Sequence, residues 1–391
     1  MRVLFLTHNF PRHPGDVAGS FLLRLAHALR DQDVHVRVLA PGAEGLAARD
    51  VVDGVEVVRY RYAPRTFETL AYTGNMAADV GASWGARGAL VGMLLAAART
   101  TRRESRRERA DVVHAHWWFP SGLSATMPGA LGGLPLVVTS HGSDVRLARS
   151  TRPARPLVAR VARRAAVWTF VSRWLRDEAR AIAPIPDAEV IPMPVAAERF
   201  SPPDPSVPRE GLLFVGRLNA QKGVADLVRA IARQRVEETV TIIGDGPERD
   251  MLRALAESLG VASRMRWVPT VKPDELPRYY ARARALVIPS RGEGLGLVGV
   301  EAMLCETPVI AYASGGLTDV VRDGETGLLV EPGDLDALAA AMDRVAGDAP
   351  LARALGTRGR PDALAAFGAE SVARRYREVY ERAVASRRAA S

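Results

Sequence analysis

Short apolar runs and amphipathic helical runs take turns along this chain, and the alternation breaks once before it resumes. Apolar runs at 2–7, 34–40, 55–59, 111–116, 136–139 and 167–171 read as buried strands. Helical patterns at 20–30, 79–109, 154–165 and 174–183 lie among them. A strand followed by a crossover helix predicts a parallel sheet, so the class is α/β. Residues 192–208 then hold six prolines and little periodicity. Proline fixes φ and removes a backbone donor, so this stretch reads as a linker. The pattern restarts with strands at 211–216, 240–243, 285–289 and 308–311 and helices at 224–233, 247–259, 274–282 and 297–305. Three more helical patterns follow near 334–346, 350–366 and 370–386. A length of 391 residues suits two domains, and 48% hydrophobic residues supply two cores. The expectation is two doubly wound Rossmann-like domains facing across a cleft. The first is residues 1–191, the linker 192–209 and the second 210–370; a final helix at 371–391 has the reach to cross back to the first.

Ligands of open parallel sheets bind beyond the carboxyl ends of the strands. The loop after 285–289 is the most informative of these. It reads E-G-L-G-L-V-G-V-E, from Glu293 to Glu301, and opens a helix. A glycine loop at a helix N-terminus is an anion site, because the first N–H groups lack partners. Glu301, one turn inside the helix, is placed to accept hydrogen bonds from sugar hydroxyls. Gly294, Gly296 and Gly299 also spell G-x-G-x-x-G, with Asp319 about twenty residues on. That leaves a second reading, an NAD-dependent oxidoreductase. Arg217 and Lys222 share the glycine-flanked loop G-R-L-N-A-Q-K-G and would suit a diphosphate whose charge grows as it leaves. His141 stands in S-H-G-S-D after another strand, and G-D-G-P-E-R follows 240–243. Glu293 and Glu301 do not read as a glycosidase pair, since one is in a loop and the other inside a helix. His114 and His116 alternate beside Asp111 without a third suitably spaced ligand, and read as strand-end residues.

The chain has a net charge of +9 and a single cysteine, Cys305. No disulfide framework or cysteine metal site can be built, which fits a reducing cytosol. No apolar run approaches the ~20 residues of a membrane span. Arginines cluster at 99–109 and 146–164. They suit an anionic membrane surface better than nucleic acid, because no aromatic-interleaved basic module accompanies them. A non-catalytic basic protein that binds membrane or nucleic acid is therefore a third reading.

Together the motifs resemble the retaining glycosyltransferases of family four, which have the GT-B fold. The resemblance runs through the S-H-G-S-D loop, F-V-G-R-L-N-A-Q-K-G, I-I-G-D-G-P-E-R, E-G-L-G-L-V-G-V-E-A-M and G-G-L-T-D-V-V-R-D-G-E-T-G-L-L-V. H-A-H-W-W-F-P-S-G, at 114–122, looks like members that build bacterial surface polysaccharides. Two departures stand out: Asp319 where glutamate is commoner, and M-P-V-A in the linker. The resemblance implies sugar transfer from a nucleoside-diphosphate sugar to a hydroxyl acceptor, lipid-linked or small, with no cofactor and no metal. It implies that Arg217 and Lys222 bind the diphosphate and that Glu301 binds the ribose. Glu293, with the backbone of Gly294, Leu295, Gly296 and Leu297, would hold the sugar. Gly216 and Gly244 would line the donor loops, His141 would orient the sugar, and Gly19 would close on the phosphates. The expected location is cytoplasmic, at the inner face of the membrane.

Overall fold

The computed structural model describes the whole chain except residues 73–75, 152–153, 203, 205–206 and 391, and the side chains of 77, 82 and 390. Position 152 of the second arginine cluster and positions 203, 205 and 206 of the expected linker therefore lie outside the described residues. The chain divides into two compact units, Met1–Pro194 with Ala369–Ser391, and Val195–Gly368.

The first unit is built on eight strands: β1 Arg2–Leu6, β2 His35–Pro41, β3 Arg49–Val52, β4 Val55–Tyr60, β5 Val112–His116, β6 Leu136–Ser140, β7 Ala165–Phe170 and β8 Ala188–Val190. Their order is β3-β4-β2-β1-β5-β6-β7-β8, parallel except for the β3–β4 hairpin. Central β5 and β6 are buried along their whole length, as a parallel sheet covered on both faces requires. The helix Ala369–Ala390 belongs to this unit. Val372, Tyr376, Val379, Tyr380 and Ala383 recur at helical spacing and are buried. Tyr380 pairs its hydroxyl with His114 Nδ1 at 2.8 Å, and His114 Nε2 meets Thr139 Oγ1 at 2.6 Å. His114 is therefore a satisfied core histidine that docks the last helix, and not the strand-end residue the sequence suggested.

The second unit has six strands: β9 Leu212–Val215, β10 Val240–Ile243, β11 Met265–Val268, β12 Ala285–Ile288, β13 Val309–Tyr312 and β14 Gly327–Val330. The order is β11-β10-β9-β12-β13-β14, all parallel. Counted from β9 this is 3-2-1-4-5-6, the Rossmann order. Its switch point lies between β9 and β12, where the crossovers turn in opposite directions. A ligand crevice belongs outside the carboxyl ends of that pair. The core beneath is apolar throughout, with Leu212, Phe214, Ile242 and Val287 facing helix residues such as Val228 and Leu338.

Four strands went unread in the sequence: β3, β8, β11 and β14. Each is the edge of its sheet. An edge strand is covered on one side only, so its apolar run is short and pairing decides whether it forms.

Candidate active site

The loops after β9 and β12 meet at the switch point of the second unit. Lys222 Nζ donates to Glu293 Oε2 at 2.5 Å, with both side chains about four-fifths buried (21% and 17% exposed). One backbone and one side-chain bond fix this meeting: Arg291 N donates to Gln221 O at 2.8 Å, and Gln221 Nε2 to Gly292 O at 3.3 Å. Gly223 closes the β9 loop at φ 67, and a Cβ there would collide with the carbonyl of Pro289. Only glycine meets both demands. On the other side, Gly244 after β10 lies against the carbonyl of Gly216. Gly316 N donates to Glu293 O at 2.7 Å, tying in the loop after β13.

The β12 loop leads into the helix Leu297–Leu304 through Gly296, at φ 89, and no side chain caps this N-terminus. Leu295 is buried and anchors the loop. Positive φ occurs at Gly292 and Gly296 but not at Gly294, so Gly294 is not a left-handed hinge. Gly299 faces Ile288 and Val320, where a Cβ would come within 3.4 Å of both side chains. One turn in, Glu301 Oε2 accepts from the hydroxyl of Tyr280 at 2.9 Å. Burial first, and then Glu301, holds the Tyr280 hydroxyl well above its ordinary range, so it stays a donor. Arg217 is exposed on the β9 loop. Thus Gly216, Arg217, Lys222, Gly244, Glu293, Gly294, Leu295, Gly296 and Leu297 gather at the carboxyl ends of β9, β10 and β12, with Glu301 beside them.

The G-x-G-x-x-G reading loses its structural context here. A dinucleotide fingerprint occupies the first βα turn of its sheet. That turn is the loop after β9, whereas Gly294, Gly296 and Gly299 follow β12, the fourth strand.

Gly19 and His141 belong to the first unit. Gly19, at φ 70, opens the helix Ser20–Arg30 with its Cα against the Asn9 carbonyl, where a Cβ would sit 2.5 Å from the oxygen. His141 follows β6. Its ring lies 4.4 Å from that of Trp117 and 5.0 Å from that of Phe21, and its Nε2 is 3.2 Å from His116 Nδ1. Burial, then the neighbouring His114 and His8, holds its pKa well below the ordinary value, so the ring is neutral at neutral pH.

Asp144 shapes this loop. Its Oδ1 accepts from the backbone N–H of His141 at 3.2 Å and of Gly142 at 3.1 Å. Its Oδ2 accepts from Trp118 N at 3.1 Å.

Residues 18–196 match the family described as Glycosyl transferase 4-like domain, and residues 200–362 match Glycosyl transferases group 1. A D-inositol 3-phosphate glycosyltransferase of Salinispora tropica is 30% identical over 97% of this chain and 85% of its own length. The chain belongs to the GT4-like glycosyltransferases. A GDP-mannose-dependent alpha-(1-6)-phosphatidylinositol monomannoside mannosyltransferase of Mycolicibacterium smegmatis is 35% identical over 63% of this chain and 71% of its own. The match to a D-inositol 3-phosphate glycosyltransferase of Acidothermus cellulolyticus, 36% identical, spans 63% of this chain and 62% of that protein. Among solved structures, sucrose-phosphate synthase from Thermosynechococcus elongatus superposes with a TM-score of 0.81 at 23% identity, over 99% of this chain and 100% of that one. Anabaena Alr3699/HepE in complex with UDP and glucose superposes at 0.73 and 18% identity, over 97% and 99%. These neighbours share the GT-B fold.

Two residues of this glycosyltransferase escaped sequence reasoning. Tyr280 lies within the helix expected at 274–282, and nothing local links it to Glu301, twenty-one residues on. Asp144 stood in the quoted S-H-G-S-D loop but had no role, because the loop's turn into the helix Ser143–Ser150 was not read.

Proposed function

We propose that this glycosyltransferase moves a sugar from a nucleoside-diphosphate donor to a hydroxyl acceptor with retention and without a metal ion, in glycolipid or surface-glycan synthesis. The observation that carries the reading is the contact of Lys222 with Glu293 at the switch point, beside the uncapped helix N-terminus. An arriving diphosphate would take Lys222 from Glu293. Lys222, Arg217 and the helix N-terminus would then balance the charge that grows on the leaving phosphate, the task a metal performs elsewhere. Glu293, once released, accepts from sugar hydroxyls, and Tyr280 holds Glu301 in place for the ribose. His141 orients the sugar, and Gly19 lets its loop approach the phosphates. In the reaction the bond from C1 to the diphosphate oxygen breaks. The acceptor oxygen bonds to C1 on the same face, and its proton passes to the leaving phosphate.

The test is a panel of UDP-, GDP- and ADP-sugars read first by thermal shift, since a ligand that binds only the folded state stabilises it. The product of the best donor is then examined by NMR. An inverted anomeric centre refutes retention, and activity lost in chelator but restored by one divalent ion refutes metal independence. In the same assay Glu301→Gln weakens donor binding roughly ten- to a hundredfold by removing charge-assisted bonds. The loss shrinks with a donor lacking the ribose hydroxyls. Full additivity of the two losses removes Glu301 from the ribose.

The helix Trp84–Arg107 supports the membrane contact. Trp84, Val91 and Leu95 are 82%, 57% and 39% exposed, and Arg102 and Arg106 are exposed too. Spacings of seven and four keep all five on one stripe. Among the described residues no helix is long and apolar enough to cross a membrane, so the contact would be peripheral. Phosphatidylglycerol vesicles should bind the protein, and Trp84→Ser with Arg102→Ala should cut that binding about tenfold. Equal binding to phosphatidylcholine vesicles refutes an electrostatic contact.

A further inference from the structure

A cavity of about 540 Å³ lies in the first unit beside the His141 loop. That volume falls within the roughly 300–1,000 Å³ usual for small-molecule sites. Leu70, Val80, Leu90 and Leu147 make much of its wall, with the rings of Trp117 and Phe119. Among the described residues, no lysine or arginine lines it. The charged group among its described lining residues is Asp144, whose oxygens already accept three backbone N–H bonds. Tyr72, also at the wall, donates its hydroxyl to Pro41 O at 2.6 Å. Two wall residues carry buried polar atoms without a hydrogen-bond partner, His8 Nδ1 and Asn9 Oδ1. Burial lowers the His8 pKa to about 4, so its ring is neutral.

We infer that this cavity takes the acceptor, and that the acceptor is an alcohol carried on an apolar frame. The inference rests on the glycosyltransferase reading and adds the acceptor's chemistry to it. An apolar frame gains by leaving water for this wall. A buried acceptor atom left unpaired is unfavourable, and a ligand hydroxyl donating to Asn9 or His8 would relieve it. A small anionic polyol fits poorly, because its phosphate would enter a largely apolar space that no lysine or arginine lines among the described residues. Position agrees with chemistry. Trp117 both lines the cavity and lies 4.4 Å, ring to ring, from His141, the side chain assigned to the sugar. An alcohol seated there carries its hydroxyl toward the group to be transferred.

The experiment is calorimetric titration of the full chain with farnesol, 4-phenylphenol and myo-inositol 1-phosphate, alongside UDP and GDP. At least one of the two alcohols should bind with a negative heat-capacity change, the mark of apolar burial. Leu147→Asp, a half-buried wall position, should weaken that binding about tenfold or more by placing a charge in the apolar wall. Leu147→Ala should weaken it about threefold by removing apolar contact, and serves if the aspartate variant does not fold. Nucleotide binding should be untouched by either. Binding of farnesol alone identifies a chain-borne alcohol, and binding of 4-phenylphenol alone a compact free one; either supports the inference. If a nucleotide diphosphate binds and neither alcohol does, the cavity assignment is overturned while the donor reading stands. Alcohol binding that Leu147→Asp and Leu147→Ala leave unchanged, or binding of inositol phosphate in place of the alcohols, also overturns it. If alcohols bind and neither nucleotide does, the cavity assignment stands and the donor reading fails.

Discussion

Lys222→Ala and Arg217→Ala should each lower turnover on the order of 10²-fold or more, because each removes fixed positive charge from the leaving diphosphate. The fold should survive both changes. Arg217 is exposed, and Lys222 pairs with Glu293 at a partly exposed position. That contact makes the neighbouring variant informative. Glu293→Gln leaves Lys222 available, so a nucleoside diphosphate should still bind while sugar transfer falls. Lys222→Ala should lose both. Kinetics with the best donor and calorimetry with its nucleoside diphosphate separate the two. If Lys222→Ala keeps turnover within about twofold, the phosphate clamp is misplaced, because a fixed charge on the leaving group is worth far more than that.

Asp144→Ala should lower stability by about 3 kcal/mol or more. It would strand three backbone N–H groups, those of Trp118, His141 and Gly142, each of which costs about 1–3 kcal/mol when left unpaired in the interior. Burial raises the Asp144 pKa above the usual carboxylate range, and the hydrogen bonds from its neighbours oppose that rise. Asp144→Asn keeps the shape and an accepting oxygen, so it should lose less. The denaturation midpoint at constant slope reports the change. Since the same carboxylate sets the backbone of His141, sugar transfer by the surviving folded protein should fall as well. A stability loss under about 0.5 kcal/mol, the size expected of an indifferent surface change, would mean that the loop holds itself without Asp144.

Much of the candidate site's layout was legible because it is local. The β12 loop and the helix it opens are contiguous, so spacing alone puts the glycines and Glu293 before a helix start and Glu301 one turn inside it. The same closeness is ambiguous at two points. Gly294, Gly296 and Gly299 imitate a dinucleotide fingerprint, because the motif does not encode which strand precedes it. His114 and His116 alternate as strand residues do, yet both are buried, and the bond to Tyr380 shows that His114 docks the last helix.

The sequence by itself determined the α/β class, the inner strands and the residue types at the strand ends, because these depend on periodicity and backbone propensity over a few residues. Tertiary structure decided the edge strands β3, β8, β11 and β14, whose few residues form a strand only through a partner. It decided the strand order too. β9 and β12 pair across some seventy residues of chain, at Ala285 with Leu212, and no local signal records that choice. From that pairing come the switch point and the contact of Lys222 with Glu293. In the first unit, the Asp144 bond to Trp118 arises in the same way. It forms because neighbouring β5 and β6 release their chains at the same end of the sheet.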